Sequence, residues 1–238
     1  MKQYDAVIEV MKKNGGLSTL GRLYADALAI PGVEWKTKTP FASIRRIVQD
    51  PRFFFKIRPG LWALNEYRKR IPEELLSGKN KKTEYTHSFY QGLLVEIGNI
   101  KSFGTFVPSQ DKNKKFLNKS LSQIATVAPM YPFSYDRLVN RAKTIDVVWF
   151  NQRRLPQAFF EVEHSTDIQN SLLKFLELQD FNSDFRIVAD AHRVREFDSK
   201  LSYDAFRAIA SRVKFVDYDT ISQFHSKAVE MSLMNNRL

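Results

Sequence analysis

Cysteine is absent from this chain of 238 residues. Disulfide bonds and cysteine-ligated zinc are therefore excluded, and the composition fits a reducing compartment. No apolar run approaches the roughly 18 residues that a membrane span requires. The first residues also lack the apolar core of a secretory signal. We therefore expect a cytoplasmic protein that has no membrane partner.

Several motifs of nucleotide and hydrolase chemistry are missing as well. The chain contains no P-loop, no G-x-G-x-x-G and no G-x-S-x-G. ATP-driven, dinucleotide-dependent and serine-hydrolase reactions consequently find no support. Only four histidines are present, and none stands in metal-ligand spacing, which argues against a zinc site.

Positive charge, in contrast, is abundant. The chain has 37 Lys and Arg against 26 Asp and Glu, a net charge of +11. The segment 1–80 holds 15 of the basic and 8 of the acidic side chains, so +7 of this surplus lies in one third of the chain. Such a surplus favours a polyanionic partner, with nucleic acid ahead of an anionic membrane surface, although it also serves solubility.

The N-terminal segment 1–70 predicts three short helices followed by a hairpin. Apolar spacing indicates helices over residues 4–13, 17–28 and 41–49, with Ser18 as N-cap of the second. The turn signal "RPG" then separates two apolar runs. This order is typical of a winged helix-turn-helix, in which the third helix enters the major groove of DNA.

Basic residues cluster at the third helix and at the wing of this predicted domain. We take them as candidate contacts to double-stranded DNA; the alternative is a structural domain with a basic, solvated face. They are Lys36, Lys38, Arg45, Arg46, Arg52, Lys56 and Arg58.

The pattern "YDAVIEVMKKNGG…LYADAL…TPFASIRRIVQD…RFFFKIRPGLWAL" resembles the HARE-HTH winged-helix domain over residues 2–67. That module occurs in chromatin-associated proteins, in an RNA polymerase subunit and in restriction endonucleases. In a restriction enzyme, the resemblance implies that cutting depends on a modified base.

After a charged linker at residues 71–84, the remainder predicts an α/β (α+β) domain over residues 85–238. An entry helix at 85–100 precedes a hairpin formed by "TIDVVWF" and "QAFFEVEHS". Helices are expected at 168–178, 192–199, 203–212 and 220–234, and strands at "FRIVADA" and "VKFVDYD". This alternation predicts a mixed central sheet. Residues 109–116, "SQDKNKKF", read as a lysine-rich loop that either lies on DNA phosphates or is simply solvated.

Three carboxylates stand in the predicted hairpin. Asp146 begins its first strand, and Glu161 and Glu163 share one face near the end of the second. Antiparallel pairing brings Asp146 beside them, and an oxygen-only set of this kind suits Mg²⁺ or Mn²⁺. The alternative is a structural ion-pair cluster with Arg153, Arg154 or Lys143.

The arrangement D-x(14)-E-x-E after an entry helix resembles the PD-(D/E)XK nuclease superfamily. The resemblance implies metal-dependent phosphodiester hydrolysis, with Asp146 and Glu161 as metal ligands. Glu163 falls where the family usually has Lys, and some members carry Glu there. We therefore count Glu163 among the catalytic residues, and Lys174 as a candidate for the missing cation or else a solvated helix residue.

Two further residues are weighed against ordinary structural roles. Glu96 lies in the entry helix, from which the family often supplies an acid to the metal, so it is a candidate catalytic residue and metal ligand or else a surface glutamate. His164 points to the opposite face from Glu163, and packing competes with a place in the site.

The sequence thus predicts a Mg²⁺-dependent DNA endonuclease of restriction type. It is expected to act as a homodimer at least on DNA, because two strands require two active sites. One alternative is a DNA-binding regulator whose nuclease core has lost activity, since Glu163 replaces the usual Lys. Another is a repair or RNA-directed nuclease of the same fold.

Overall fold

The computed structural model describes residues 1–35, 39–71 and 79–235, and only the backbone helix of residues 79–84. Lys36, Lys38 and residues 72–78 of the predicted linker lie outside the described residues. The chain divides into two compact units, one formed by Met1–Lys82 with Ser222–Leu238 and the other by Thr83–Ile221. The sequence assigned the whole closing helix to the second domain, whereas its residues from Ser222 onward group with the first unit.

The first unit combines helices with a small antiparallel sheet in the strand order β1-β3-β2. Its elements before the linker are α1 (Gln3–Lys13), β1 (Leu17–Thr19), α2 (Leu20–Leu28), α3 (Pro40–Val48), β2 (Phe54–Arg58) and β3 (Leu61–Leu64). The predicted turn between the last two strands places Gly60 at φ +82°, a conformation that glycine adopts at little cost.

The second helix begins later than the sequence predicts. Leu17–Thr19 pairs with β3 instead of starting the helix. Thr19, and not Ser18, is the N-cap, because its side chain accepts a hydrogen bond from the backbone N–H of Arg22 at 3.2 Å. Strand pairing with a distant segment cannot be seen in local periodicity, so the helical pattern extended too far.

The second unit is built around a five-stranded sheet in the order β10-β9-β8-β7-β4. Strands β4, β7 and β8 pair antiparallel, whereas β8, β9 and β10 pair parallel. The predicted mixed sheet is therefore confirmed. The strands are β4 (Gly104–Phe106), β7 (Val147–Phe150), β8 (Pro156–Glu163), β9 (Asp184–Ala189) and β10 (Val213–Asp217).

Helices accompany this sheet along the chain. They are α4 (Lys79–Ile100), α5 (Leu121–Ile124), α6 (Asp136–Ala142), α7 (Ile168–Glu177), α8 (Val194–Leu201) and α9 (Tyr218–Asn235), the last of which continues into the first unit. None of the described helices is long and apolar enough to cross a membrane. A small hairpin, β5 (Lys115–Phe116) with β6 (Lys119–Ser120), and helix α6 were not predicted.

The two faces of the sheet carry different side chains because residues alternate along each strand. On one face Phe159 and Phe150 join a buried cluster with Leu172 and Phe175 of α7. On the other, the indole of Trp149 donates to the backbone carbonyl of Leu94 in α4 at 3.1 Å. The start of β7 and the end of β8 therefore lie between α7 on one face of the sheet and α4 on the other.

The predicted helix at 203–212 is wrong. Only a single 3₁₀ turn, Asp204–Phe206, forms there. The guanidinium of Arg212 donates to the backbone carbonyls of Gln179, Phe181 and Ser183, and this long-range contact fixes the segment before β10.

Candidate active site

The three acids of the hairpin meet where β7 begins and β8 ends. Val147 pairs with Phe160, which puts Asp146 opposite Glu161. One carboxylate oxygen of Asp146, Oδ2, accepts a hydrogen bond from the backbone N–H of Val162 at 2.7 Å. Asp146, Glu161 and Glu163 are all buried, at 8%, 2% and 4% exposure. The structure therefore brings together the residues that the sequence singled out.

Glu161 lies at the centre of this group. Burial raises the pKa of its carboxyl well above the ordinary range, and the charges of Asp146 and Glu163 raise it further. Lys174 of α7 opposes these effects, because its Nζ lies 2.9 Å from both carboxylate oxygens of Glu161. The same ammonium also donates to the carbonyl of Thr144 at 3.0 Å. The structure thus places Lys174 beside the acids and not on a solvated surface.

Glu163 is held by hydroxyl groups. Ser171 of α7 donates to Glu163 Oε1 and is also 3.1 Å from Glu161 Oε2, and the hydroxyl of Thr166 donates to Glu163 Oε2. A serine hydroxyl has only one proton, so it satisfies one of the two carboxylates at a time. The side chain of Asp167 caps the start of α7, because it accepts a hydrogen bond from the backbone N–H of Gln169. Sequence reasoning missed Ser171, although its place one turn before Lys174 on α7 was a usable signal.

A second polar cluster adjoins the first through Asp146. The Nε2 atom of His87 in α4 lies 3.3 Å from Asp146 Oδ1 and 3.8 Å from Asp111 Oδ2. Gln91, one helical turn after His87, donates to Asp111 Oδ2 at 2.7 Å and to the backbone carbonyl of Asp146 at 3.1 Å. Lys114 lies 2.7 Å from the other oxygen of Asp111. His87, Gln91, Asp111 and Lys114 were not individually predicted as site residues.

The ionisation of this cluster follows from its contacts. Burial lowers the pKa of His87, but the hydrogen bonds and charges of Asp111 and Asp146 outweigh burial and raise the pKa to about 10. Burial raises the pKa of Asp111, but the hydrogen bonds from His87, Lys114 and Gln91 outweigh burial and hold that pKa below its ordinary range. By itself the cluster therefore holds a charged imidazole between two carboxylates.

Two predicted site residues lie elsewhere on these elements. Glu96 is half-buried and follows His87 by nine positions, so at about 100° per residue it projects from the opposite side of α4. That side is not the one that reaches Asp146, and the role of Glu96 as a ligand stays a prediction. His164 is half-buried, and its ring centroid is 6.4 Å from that of Tyr218.

The basic residues of the first unit differ in exposure. Arg46 and Lys56 are exposed, whereas Arg58 is buried. Arg45 donates to the hydroxyl of Tyr24 at 3.2 Å and to Glu230 at 3.1 Å. Arg52 is paired with Asp50 at 2.6 Å. Among the candidate DNA contacts that the structure describes, Arg46, Arg52 and Lys56 are therefore the exposed ones.

The chain is similar to a known protein family and to a known enzyme. The family described as the C-terminal domain of the type II restriction enzyme NmeDI matches residues 70–236. The type II restriction enzyme NmeDI of Neisseria meningitidis serogroup C is 25% identical over an alignment of 160 residues, which covers 63% of this chain and 45% of that protein. The chain therefore matches less than half the length of this relative. No solved structure was found to match the chain.

Proposed function

The chain belongs to the family of the type II restriction enzyme NmeDI C-terminal domain, and from this premise we propose that it is a DNA endonuclease of restriction type. Its substrate would be double-stranded DNA, and its cofactor Mg²⁺ or Mn²⁺. The observation that carries the proposal is the convergence of Asp146, Glu161 and Glu163, with the ammonium of Lys174 2.9 Å from Glu161. All four lie within the matched residues.

The donor set fits a divalent cation. Three buried carboxylates face one another, with the ammonium of Lys174 and shared hydroxyl groups among their partners. Burial raises the pKa of Glu161, and the neighbouring negative charges of Asp146 and Glu163 raise it further. Oxygen ligands of this type suit Mg²⁺, which keeps several waters when it binds through one or two carboxylates. Bound there, the ion would supply Lewis-acid activation of the phosphodiester.

The side chains of the chain itself then have distinct tasks. Asp146 and Glu161 would hold the cation. Lys174 would direct positive charge toward the phosphate where negative charge develops. In the nuclease superfamily that the sequence resembles, this role belongs to the Lys at the position that Glu163 occupies here. Glu163, oriented by Ser171 and Thr166, would accept the proton of the attacking water.

DNA binding is proposed for the first unit. Its order of helix, strand, two helices and two strands supports a winged helix-turn-helix. Arg46, Arg52 and Lys56 are the described candidates that are exposed, and we propose that they contact phosphates. We further propose a homodimer on DNA, because cutting both strands requires two centres. Dependence on a modified base follows from the HARE-HTH resemblance and belongs to the same proposal.

Plasmid cleavage in Mg²⁺, with methylated and unmethylated DNA, tests the active site. We expect Asp146→Asn and Glu161→Gln to abolish cutting while duplex binding remains. We expect Glu163→Gln to lower the rate by about 10²–10⁴-fold if this residue is the general base. Asp204→Asn is the matched control, because Asp204 is an exposed acid on the 3₁₀ turn, 89% accessible in its side chain.

Two outcomes would count against the proposal. Undiminished cleavage by Asp146→Asn would remove the carboxylate site from the chemistry. Duplex binding without cutting, on both plasmids and in both Mg²⁺ and Mn²⁺, would favour the alternative of a DNA-binding regulator with an inactive nuclease fold.

A further inference from the structure

The second polar cluster consists of His87, Gln91, Asp111 and Asp146. Its first three residues have no role in the proposed cleavage mechanism, whereas Asp146 is a proposed metal ligand there. One potential ligand atom from each of His87, Asp111 and Asp146 lies within 4.8 Å of the other two. Neighbouring ligands of one ion, each about 2.1 Å from it, stand roughly 3 Å apart. The separation of 3.3 Å between His87 Nε2 and Asp146 Oδ1 is close to that value, and 3.8 Å to Asp111 Oδ2 requires a small rotation.

Gln91 gives an independent indication of a missing partner. Its side chain is fully buried, and its amide nitrogen contacts both Asp111 and the carbonyl of Asp146. The oxygen of the same amide, Oε1, is buried and has no hydrogen-bond partner among the described residues. A buried acceptor without a partner is unfavourable, so such an oxygen calls for a donor or a cation that the described residues do not supply.

The supporting contacts are those of a metal site. Lys114 binds the oxygen of Asp111 that faces away from His87, and the Val162 N–H binds the oxygen of Asp146 that faces away from His87. Partners of this kind fix the direction of ligand oxygens. The side chain of His87 remains 23% accessible, which leaves an entry path for an ion.

We propose that His87, Asp111 and Asp146 bind a divalent transition-metal ion, with Gln91 Oε1 as a further ligand or as acceptor from a water on that ion. An imidazole nitrogen with two carboxylates favours Mn²⁺, Co²⁺ or Zn²⁺ over Mg²⁺, which prefers oxygen ligands alone. The site shares Asp146 with the proposed nuclease centre. It goes beyond that function, because ion binding here requires no DNA cleavage.

The rival explanation is that the imidazolium of His87 is itself the cation between the two carboxylates. In that case the cluster is a buried ion pair, and no bond between metal and nitrogen forms. The two explanations differ in one observable, which is a nitrogen ligand on a bound metal.

Mn²⁺ added to the full chain without DNA makes this observable measurable. Pulsed electron paramagnetic resonance detects the coupling between Mn²⁺ and a directly bound ¹⁴N. We expect this coupling in the unaltered protein and in Glu161→Gln. We expect it to vanish in His87→Gln, with Mn²⁺ affinity lowered at least about tenfold. His192→Gln is the matched control, because His192 also lies beside an aspartate, 2.7 Å from Asp190, but outside the cluster.

Circular dichroism checks whether His87→Gln is folded. A second variant keeps the inference testable if His87→Gln misfolds. Asp111→Asn keeps an oxygen that accepts from Gln91 but removes a charged ligand, so Mn²⁺ affinity should again fall at least about tenfold. Absence of nitrogen coupling in the unaltered protein, or its persistence in His87→Gln, would overturn the inference. Because Glu161→Gln is expected to lose cleavage and keep the coupling, failure of the nuclease proposal and failure of this site give different results.

Discussion

At the scale of single residues, Glu161 shows the conflict between function and stability. Its carboxyl is 2% exposed and faces two other carboxylates, so folding makes its charged form less favourable. The folded protein consequently holds a proton on Glu161 at a pH where the unfolded chain, with an ordinary pKa of 4.5, has released it. Stability is therefore lost as the pH rises from about 4.5 through the raised pKa of the folded state.

Glu161→Gln should for this reason stabilise the protein while it abolishes cutting. The neutral amide has nearly the same size and avoids the cost of burying a charge beside Asp146 and Glu163. We expect a higher melting temperature than that of the unaltered protein at pH 8, and a smaller difference at pH 4.5. Calorimetric scans at the two pH values measure this. A variant less stable at pH 8 would show that the ion pair with Lys174 outweighs the cost of burial.

The residues of the site differ in how far the sequence could reveal them. Asp146, Glu161 and Glu163 could be placed together because strand alternation and antiparallel pairing are short-range rules. Lys174 was a candidate because it lies on the helix that follows the second acidic strand. His87 and Asp111 could not be paired in this way, because Asp111 lies in a turn between β4 and β5 and no periodic pattern relates the two. The long-range hydrogen bond between Gln91 and Asp111 connects that turn to α4.

At the scale of elements, periodicity predicted the main helices and strands but not their close approaches. Helix α4 has a glycine, Gly92, against which the ring of Phe116 packs. A Cβ atom at this position would lie 2.2 Å from carbon atoms of that ring, which is far below van der Waals contact. The missing side chain therefore allows the β5–β6 hairpin to pack against α4.

Gly92→Ala should lower the free energy of unfolding by about 1–3 kcal/mol, the usual cost of overpacking. Chemical denaturation measures this change. The control is the same substitution in a Phe116→Ala background, where the contact is gone and alanine should instead stabilise the helix by up to about 1 kcal/mol. Equal effects in both backgrounds would show that Gly92 is needed for another reason than the ring of Phe116.

At the scale of the whole molecule, the uneven distribution of charge governs the expected affinity for DNA. Each phosphate contact contributes a slope of about −0.9 to the dependence of log affinity on log salt concentration. Replacing both Arg46 and Lys56 by glutamine should therefore weaken duplex binding and reduce the slope by about 1.8. Fluorescence anisotropy over a range of salt concentrations measures both quantities.

Arg207→Gln provides the comparison for this double variant. Arg207 belongs to the second unit and is 82% accessible in its side chain, so the substitution removes one exposed positive charge elsewhere. Its loss should leave the slope nearly unchanged. If the Arg46 and Lys56 variant retains the original slope, the first unit does not bind DNA through these residues.

The discontinuous first unit has a consequence for synthesis of the chain. Glu230 pairs with Arg45, and His225 and Val229 lie where a side chain on Gly21 would otherwise be. These partners leave the ribosome at widely separated times, whereas every residue of the second unit has emerged before Ser222. In the order of synthesis, the second unit is thus complete while the first still lacks Ser222 and the residues after it. The protein therefore completes its first unit last, although the ribosome makes most of that unit before it makes the second.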